Sequence, residues 1–256
     1  MPRTFICPAL VLRTASFGES NREAWFLSAS EGILRAVVYG GPKSRLRAHV
    51  SPFHSGTLYY YLDPVRDSRR VNDFDVRSWR PGLRELYERA MAAAAMADTI
   101  LASHGGGGNW ERALSLAETC LEALAEAAGG TVSRIFTQFL WNWAGFLGLR
   151  PDLESPDPEG RPCEAPADEL LWFDRLEGEF RREGEFHWEG ESRRGAGDRF
   201  LSLNTGARRW LLAAQDLDPA RLDRITADTI SLTQARTAVT ALMAGILGKE
   251  LSSWNF

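Results

Sequence analysis

The feature that most constrains the fold of this chain is a change in the spacing of its apolar residues at Pro81–Gly82. Before it, short runs rich in β-branched and aromatic residues are separated by Gly, Pro and Ser, a pattern that favours strands. The runs are FICPALVLR, AWFLSA, ILRAVVYG, SGTLYYYLDP and RRVNDFDVR, which begin at residues 5, 24, 33, 55 and 69. Five short strands in so short a segment predict a small barrel.

After Pro81–Gly82, apolar residues recur at helical spacing. We expect helices over 83–104, from Asn109 to Gly129, over 132–148, over 204–215 and over 228–251. Asn109 and Thr131 are typical N-cap residues for the second and third of them. The proline-rich and acidic segment 150–169 predicts an irregular loop, and 170–190 alternates weakly enough to suggest a hairpin. The fold class is therefore α+β, with a barrel over 1–80 and a helical domain over 81–256 that carries an insertion at 150–200.

Charge is distributed unevenly along the chain. The net charge is −4, yet residues 1–89 contain 14 Lys or Arg against 9 Asp or Glu, and the remainder contains 16 against 25. A basic first part within an acidic protein suggests that this part meets a polyanion.

Motifs for catalysis are absent from the sequence. HExxH, CxxC and GxSxG do not occur, and GGPKS at residues 40–44 lacks the spacing of a phosphate-binding loop. The three cysteines are scattered and odd in number, which fits a reducing cytoplasm. No apolar run reaches the length of a membrane helix, and the N-terminus lacks the features of a signal peptide. We therefore expect a cytoplasmic protein that is not an enzyme and uses no cofactor or membrane.

A basic loop follows the third predicted strand. Lys43, Arg45 and Arg47 alternate along it, so on an extended segment they would project to one side, about 7 Å apart. That spacing suits successive phosphates of a single nucleic-acid strand, and the aromatic residues of the next strand could stack on bases. The alternative is a solvated hairpin loop beside buried tyrosines.

Residues 10–53 resemble the N-terminal domain of the bacterial RecO family. The matching features are LRT, FGES.R, EG.LRAVV.G and PKSRL...V.PF, and later segments FLGLRPDL and ILGKELSSW also resemble the family. The resemblance implies an OB-fold barrel followed by a helical bundle. It also implies a DNA repair and recombination protein that binds single- and double-stranded DNA, anneals complementary strands and helps to load the recombinase RecA together with RecR.

The resemblance and the charge pattern together nominate site residues. The candidates for DNA binding are Arg13, Arg22, Arg35, Lys43, Arg45 and Arg47, with Tyr59 or Tyr61 as stacking partners. The family also binds the acidic, phenylalanine-ended tail of single-strand-binding protein on its helical part. The candidates for that surface are Arg134, Phe136, Phe139 and Arg150, although packing between helices is the alternative interpretation.

The chain departs from many relatives where they carry two CxxC pairs that hold zinc. Pro156 and Glu159 stand at the first pair of cysteine positions, and Cys163 alone cannot form a tetrahedral site. We therefore predict no metal. Two other classes stay open: an adaptor whose barrel docks a protein, and an enzyme with an unrecognised site.

Overall fold

A closed five-stranded barrel occupies the N-terminal part of the chain. The computed structural model describes residues 3–41, 43–105, 108–153, 170–182 and 199–256. The barrel strands β1 to β5 are Thr4–Phe17, Asn21–Ser28, Gly32–Val38, Ser55–Asp63 and Ser68–Ser78. Their order around the barrel is β1-β2-β3-β5-β4. All seams are antiparallel except β3–β5, which is parallel and closes the barrel at Val37 and Arg70. The five predicted strands and the OB-like barrel are confirmed.

Alternation along the strands fills the barrel interior. Residues at every second position point inward, as a pleated strand requires. The core consists of Cys7, Ala9, Val11, Ala24, Phe26, Leu34, Ala36, Val38, Val50, Leu58, Tyr60, Val71 and Phe74. Tyr60 is buried because its hydroxyl donates to the Glu31 carboxylate. Burial and this hydrogen bond raise the pKa of Tyr60.

Several helical segments lie between and after the barrel strands, within residues 45–126. Helix α1 spans Arg45–His49, a 3-10 turn spans Pro81–Arg84, α2 spans Tyr87–Ala102 and α3 spans Trp110–Glu126. Asn109 caps α3 as predicted, because its side chain accepts a hydrogen bond from the backbone N–H of Arg112. Helices α2 and α3 pack on β1 and β2, which explains why outward-facing residues such as Leu10 and Leu27 are fully buried.

The boundary between the second and third helices differs from the prediction. Helix α3 ends at Glu126, and α4 begins at Gly129 with Ala128 as its N-cap, so Thr131 lies inside the first turn of α4. The Arg89 guanidinium explains the early end of α3. It donates to the carbonyl oxygens of Ala125 (2.6 Å) and Ala127 (2.8 Å), which have no partner within the helix.

The second unit consists of helices and a small sheet. Helix α4 spans Gly129–Phe146, α5 spans Thr205–Gln215 and α6 spans Thr229–Leu247. Strands β6, β7 and β8 span Leu171–Asp174, Glu179–Arg182 and Phe200–Leu203, in the order β7-β6-β8. The predicted hairpin is present as β6–β7, and its predicted continuation over 183–190 lies outside the described residues. Helix α6 is long and apolar enough to cross a membrane by length and composition alone, a test that core helices also pass.

The described residues divide into two compact units, residues 1–127 with Phe256, and residues 128–255. Helices α2 and α3 thus group with the barrel, although they lie after residue 80, at which the sequence analysis places the domain boundary. The reason is that both helices bury their apolar faces on the barrel strands. The prediction that the domains separate at residue 80 stays a prediction.

Candidate nucleic-acid interface

Arg13 and Arg35 flank Trp25 on the outer face of the barrel. The register aligns Arg13 with Trp25 and Trp25 with Arg35 across three strands. Both guanidinium groups lie over the indole, with the Cζ atoms 5.7 Å (Arg13) and 5.4 Å (Arg35) from the ring centroid. Arg35 also forms a two-point ion pair with Glu23 at 2.5 and 2.6 Å. This pairing neutralises Arg35, so Arg13 carries the net positive charge of the row.

The basic loop does not form the extended segment that its alternating charges predict. Lys43 lies in a turn, and Arg45 and Arg47 lie on the short helix α1. Two residues apart on a helix means about 200° of rotation, so these two side chains point away from each other. Arg45 Nε contacts His49 Nε2 at 3.3 Å, one turn along, while Arg47 Nη1 donates to the carbonyl oxygen of Ser20 at 3.2 Å. The expected row of three cations at about 7 Å spacing is therefore wrong.

The helical turn brings Arg47 to a cleft of about 400 Å³ with two other arginines. Arg22 reaches the cleft from β2 and Arg84 from the 3-10 turn that follows β5. Among the residues that the structure describes, the lining is Arg22, Arg47, Ala48, Ser51, His54, Trp79 and Arg84, and none of these is a carboxylate. Burial and the positive charge of Arg47 lower the pKa of Arg22. We call this site the cationic cleft.

Trp79 and His54 form the aromatic side of the cationic cleft, and His49 lies against Trp79. Trp79 is 47% exposed, and its ring centroid lies 5.4 Å from that of His49 and 4.8 Å from that of His54. Both contacts are edge-on, so neither imidazole stacks flat on the indole. His49 Nδ1 lies 3.0 Å from the carbonyl oxygen of Phe74, and His54 Nδ1 lies 2.9 Å from that of His49. Burial lowers the pKa of His54, and the neighbouring Arg84 and Arg80 charges lower it further.

Arg80 fixes the segments that carry the cleft residues. Its side chain is 1% exposed, and Nη1 donates to the carbonyl oxygen of Phe53 at 2.6 Å. Its Nη2 pairs with the Glu122 carboxylate of α3 at 2.9 Å. Phe53 precedes His54, and Arg80 itself follows Trp79, so one guanidinium ties two cleft residues to α3. Burial lowers the pKa of Arg80, with the nearby Glu122 opposing this shift.

The predicted tyrosines lie on β4 and do not line the cationic cleft. The Arg70 guanidinium lies over the Tyr61 ring at 4.6 Å, and Arg3 Nη1 donates to the Tyr61 hydroxyl at 3.2 Å. Tyr59 is half-buried and lies opposite Ile6 in the register. Tyr61 is therefore already covered in part by cations, and both tyrosines belong to a part of the barrel surface outside the cleft.

In the second unit, two of the predicted partner-binding residues are buried in the core and one lines a pocket. Phe136 and Phe139 are fully buried, with Phe136 beneath the Arg236 guanidinium and Phe139 stacked on Trp143. Arg134 is half-buried on α4. Arg150 instead lines a pocket of about 240 Å³ with Trp141, Pro151, Asp152, Leu153, Leu212 and Gln215. Its guanidinium lies over the Trp141 ring at 5.5 Å, and Nη1 donates to Asn142 Oδ1 at 3.3 Å.

No group of three or more metal-ligating side chains occurs among the described residues. Pro156, Glu159 and Cys163, which mark the expected zinc region, lie outside the part of the chain that the structure describes. The prediction of no metal stays a prediction.

Sequence reasoning missed several members of the cationic cleft: Ser51, His54, Trp79 and Arg84. His54 and Trp79 were not linked because they lie on different segments, and only their ring contact reveals the connection. Arg84 belongs to a 3-10 turn that the helical spacing assigned to a helix. A usable signal was the excess of arginine over acid between residues 66 and 84, which contain six arginines and three aspartates.

The closed barrel, with a cleft lined by three arginines, defines an OB-like domain with a positively charged surface. Residues 1–78 match the family model described as recombination protein O N terminal. This match confirms the predicted resemblance to the RecO family, and it places the similarity on the residues that form the barrel.

Several proteins described as DNA repair protein RecO are similar to this chain. The one from Desulfitobacterium hafniense is 31% identical over 154 residues, which cover 57% of this chain and 52% of the relative. The one from Pelotomaculum thermopropionicum is 31% identical over 152 residues, which cover 57% and 56%. The one from Rubrobacter xylanophilus is 29% identical over 147 residues, which cover 57% and 58%. The matches thus span just over half the length of these relatives.

Proposed function

We propose that this chain is a DNA repair and recombination mediator that binds single- and double-stranded DNA without covalent chemistry and anneals complementary strands. The observation that carries the proposal is the cationic cleft, where Arg22, Arg47 and Arg84 line one site and no carboxylate of the described residues joins them. The family of the barrel supports the same function. Such a protein works where the chromosome is, so we expect it in the cytoplasm and expect it to need no cofactor.

Annealing follows from charge neutralisation. Two complementary strands repel each other because both are polyanions, and salt screens this repulsion only in part. Arginines that contact phosphates release condensed counterions and reduce the local charge of one strand. The bases of that strand stay available for pairing, so a second strand can approach. No titratable group has to transfer a proton in this scheme.

The test is a fluorescence anisotropy titration with a labelled single-stranded oligonucleotide at several salt concentrations. A strand held by phosphate contacts should give a binding constant whose logarithm falls linearly with the logarithm of salt concentration, with a slope of about −0.7 per contact. The alternative, an adaptor whose barrel docks a protein, predicts no binding to a bare oligonucleotide. A wild-type protein without salt-dependent binding would therefore reject the DNA function.

The contribution of the basic loop is measured in the same titration. Changing Lys43, Arg45 and Arg47 together to Ala should weaken single-strand binding, chiefly through the loss of Arg47 from the cleft. A matched control is Arg112→Gln, since Arg112 is exposed on α3 and its side chain lies outside the cleft lining. Wild-type binding by a folded triple variant would exclude the loop from the DNA site.

We further propose that the chain acts with RecR to load RecA and contacts the tail of single-strand-binding protein. The pocket at Arg150 supports a tail site, because Arg150 supplies a cation and the partly exposed Leu212 lines the same pocket as the buried Trp141 and Leu153. A terminal carboxylate would pair with the guanidinium while a phenyl ring is buried. Phe136 and Phe139 are core residues in the described structure and would act only by supporting α4.

A labelled acidic peptide ending in phenylalanine tests the tail site. Arg150→Gln should weaken its binding about tenfold, which corresponds to one charge-assisted hydrogen bond. The exposed Arg221 provides the control variant Arg221→Gln. Amidation of the peptide C-terminus should weaken binding to the wild type and leave binding to Arg150→Gln unchanged. If amidation affects both proteins equally, Arg150 does not hold the carboxylate.

A further inference from the structure

The cationic cleft differs in its charge balance from four other arginine sites of its unit. Arg35, Arg69, Arg77 and Arg80 each pair with a glutamate: Glu23, Glu31, Glu118 and Glu122, respectively. Among the described residues, the contacts of the cleft arginines are instead neutral oxygens. Arg47 donates to the carbonyl oxygen of Ser20, and Arg84 Nη2 donates to Ser51 Oγ at 3.2 Å.

Three cations that share one small site repel one another unless an anion joins them. Burial, and to a smaller extent the positive charge of Arg47, lower the pKa of Arg22, which is consistent with this repulsion. A phosphate group supplies the missing negative charge and enough oxygens to accept from several guanidinium groups at once. The cleft is therefore suited to a phosphate rather than to an apolar ligand.

The size of the cleft and the position of Trp79 define the rest of the ligand. A volume of about 400 Å³ lies at the small end of the range of ligand pockets, which suits one nucleotide and excludes a base pair with its two backbones. Trp79 lines the same cleft and is about half exposed. Aromatic side chains beside a cationic groove typically stack on unpaired bases.

We infer that the cationic cleft is a subsite for one unpaired nucleotide of a DNA strand. Arg22, Arg47 and Arg84 hold its phosphate, and the base stacks on Trp79. This inference rests on the proposed DNA-binding function and adds the class of nucleotide that the cleft selects. Because a paired base would have to leave its duplex to reach Trp79, the cleft favours single strands over duplexes. Two of its residues, Trp79 and Arg84, lie beyond the residues matched by the family model.

The experiment separates the base contact from the phosphate contacts. Anisotropy titrations use a labelled oligothymidylate, the same strand with abasic sites in place of the bases, and a blunt hairpin duplex. The proteins are the wild type, Trp79→Leu, Trp79→Phe, Arg22→Gln and Arg84→Gln, with Arg112→Gln as the charge-matched control. Arg47 is not varied because it also fixes the backbone at Ser20.

Trp79→Leu should weaken oligothymidylate binding about tenfold or more, the size of one lost base–aromatic stack. Trp79→Phe should retain most of the affinity. Trp79→Leu should bind the abasic strand and the duplex as the wild type does, since neither presents an unpaired base to the indole. Arg22→Gln and Arg84→Gln should each flatten the salt slope for the single strand by about 0.7, with Arg112→Gln unchanged.

Three results would overturn the inference. One is an equal loss of affinity by Trp79→Leu for the oligothymidylate and the abasic strand, which would make Trp79 a packing residue. Another is an unchanged salt slope in both Arg22→Gln and Arg84→Gln. Displacement of the oligothymidylate by an equal concentration of dTMP would assign the cleft to a free nucleotide and would also overturn a strand subsite. If the wild type binds no oligonucleotide at all, the proposed function itself fails. If the wild type binds and the cleft variants match it, only the cleft assignment fails.

Discussion

Replacing Arg80 should destabilise the first unit because this one side chain joins the barrel to α3. Its guanidinium is buried, donates to the carbonyl oxygen of Phe53 at 2.6 Å and pairs with Glu122 at 2.9 Å. The hydrogen bond to Phe53 is worth about 1.5–3 kcal/mol, because the donor is charged and shielded from water. The ion pair contributes about 1 kcal/mol or less, since Glu122 is 55% exposed.

The remaining contributions to the Arg80→Ala effect oppose each other. Removing the aliphatic stem costs about 2 kcal/mol of packing. Removing the buried Nε, which has no hydrogen-bond partner, returns about 1–2 kcal/mol. The net expectation is a loss of about 3 kcal/mol in the free energy of unfolding. Urea unfolding followed by far-UV circular dichroism measures it, and a loss below about 1 kcal/mol would refute the account.

Arg80→Gly tests the backbone part of the same reasoning. Arg80 has φ of +45°, in the left-handed region that costs a non-glycine residue about 1–2 kcal/mol. The glycine variant should therefore be about 1 kcal/mol more stable than Arg80→Ala. Glu122→Gln is the matched control for the ion pair and should cost less than either. A glycine variant less stable than the alanine variant would contradict the proposed strain at this position.

Three other expectations follow from the structure. Gly56→Ala should destabilise the barrel by about 3 kcal/mol in the same urea assay, because an added Cβ would lie 1.9 Å from the carbonyl oxygen of Asp75; a neutral effect would mean that the β4–β5 seam can open there. The lowered pKa of His54 means that this imidazole binds a proton more readily in the unfolded chain than in the folded one. The free energy of unfolding should therefore be largest above pH 6.5 and should fall as the pH drops from 6.5 to the lower pKa of His54 in the folded state. His54→Gln should remove that part of the pH dependence of the melting temperature, and a persistent slope would assign it elsewhere. Treatment with a chelator should leave the melting temperature unchanged, since the sequence has neither of the CxxC pairs that hold zinc in relatives; a fall of several degrees would reveal a metal.

The strands of the barrel could be predicted because their information is local. Alternation places Phe26, Leu34 and Phe74 inside, and turn residues mark the ends of each run. The helices that follow residue 80 were predictable for the same reason, apart from their boundaries, whereas α1 was not predicted. The boundary at Glu126 depends on Arg89, which lies far away in sequence and ends α3 through its hydrogen bonds. Local propensity carries no signal of such a contact.

The candidate site was harder to predict because charge partners are set by register and tertiary contacts. Arg35 appeared free in the sequence, yet the antiparallel β2–β3 pairing brings Glu23 to it. The basic loop appeared extended, yet α1 forms where Arg47 reaches the carbonyl oxygen of Ser20 and His49 lies against that of Phe74. Arg84 lines the cationic cleft only because the fold brings it close to Arg22 and Arg47. Composition therefore indicated a basic barrel, and only the three-dimensional contacts distinguish free cations from paired ones.

The barrel is shut by a single parallel bridge between Val37 and Arg70, whereas each antiparallel seam holds seven or more aligned residue pairs. Hydrogen bonds restrain the β3–β5 junction least, so thermal opening should start there and spread last to β1–β2. The segment that follows strand β3 contains helix α1, which holds Arg47. Opening of the β3–β5 seam would let the segment with α1 adjust to a flexible polymer while the rest of the barrel keeps its shape.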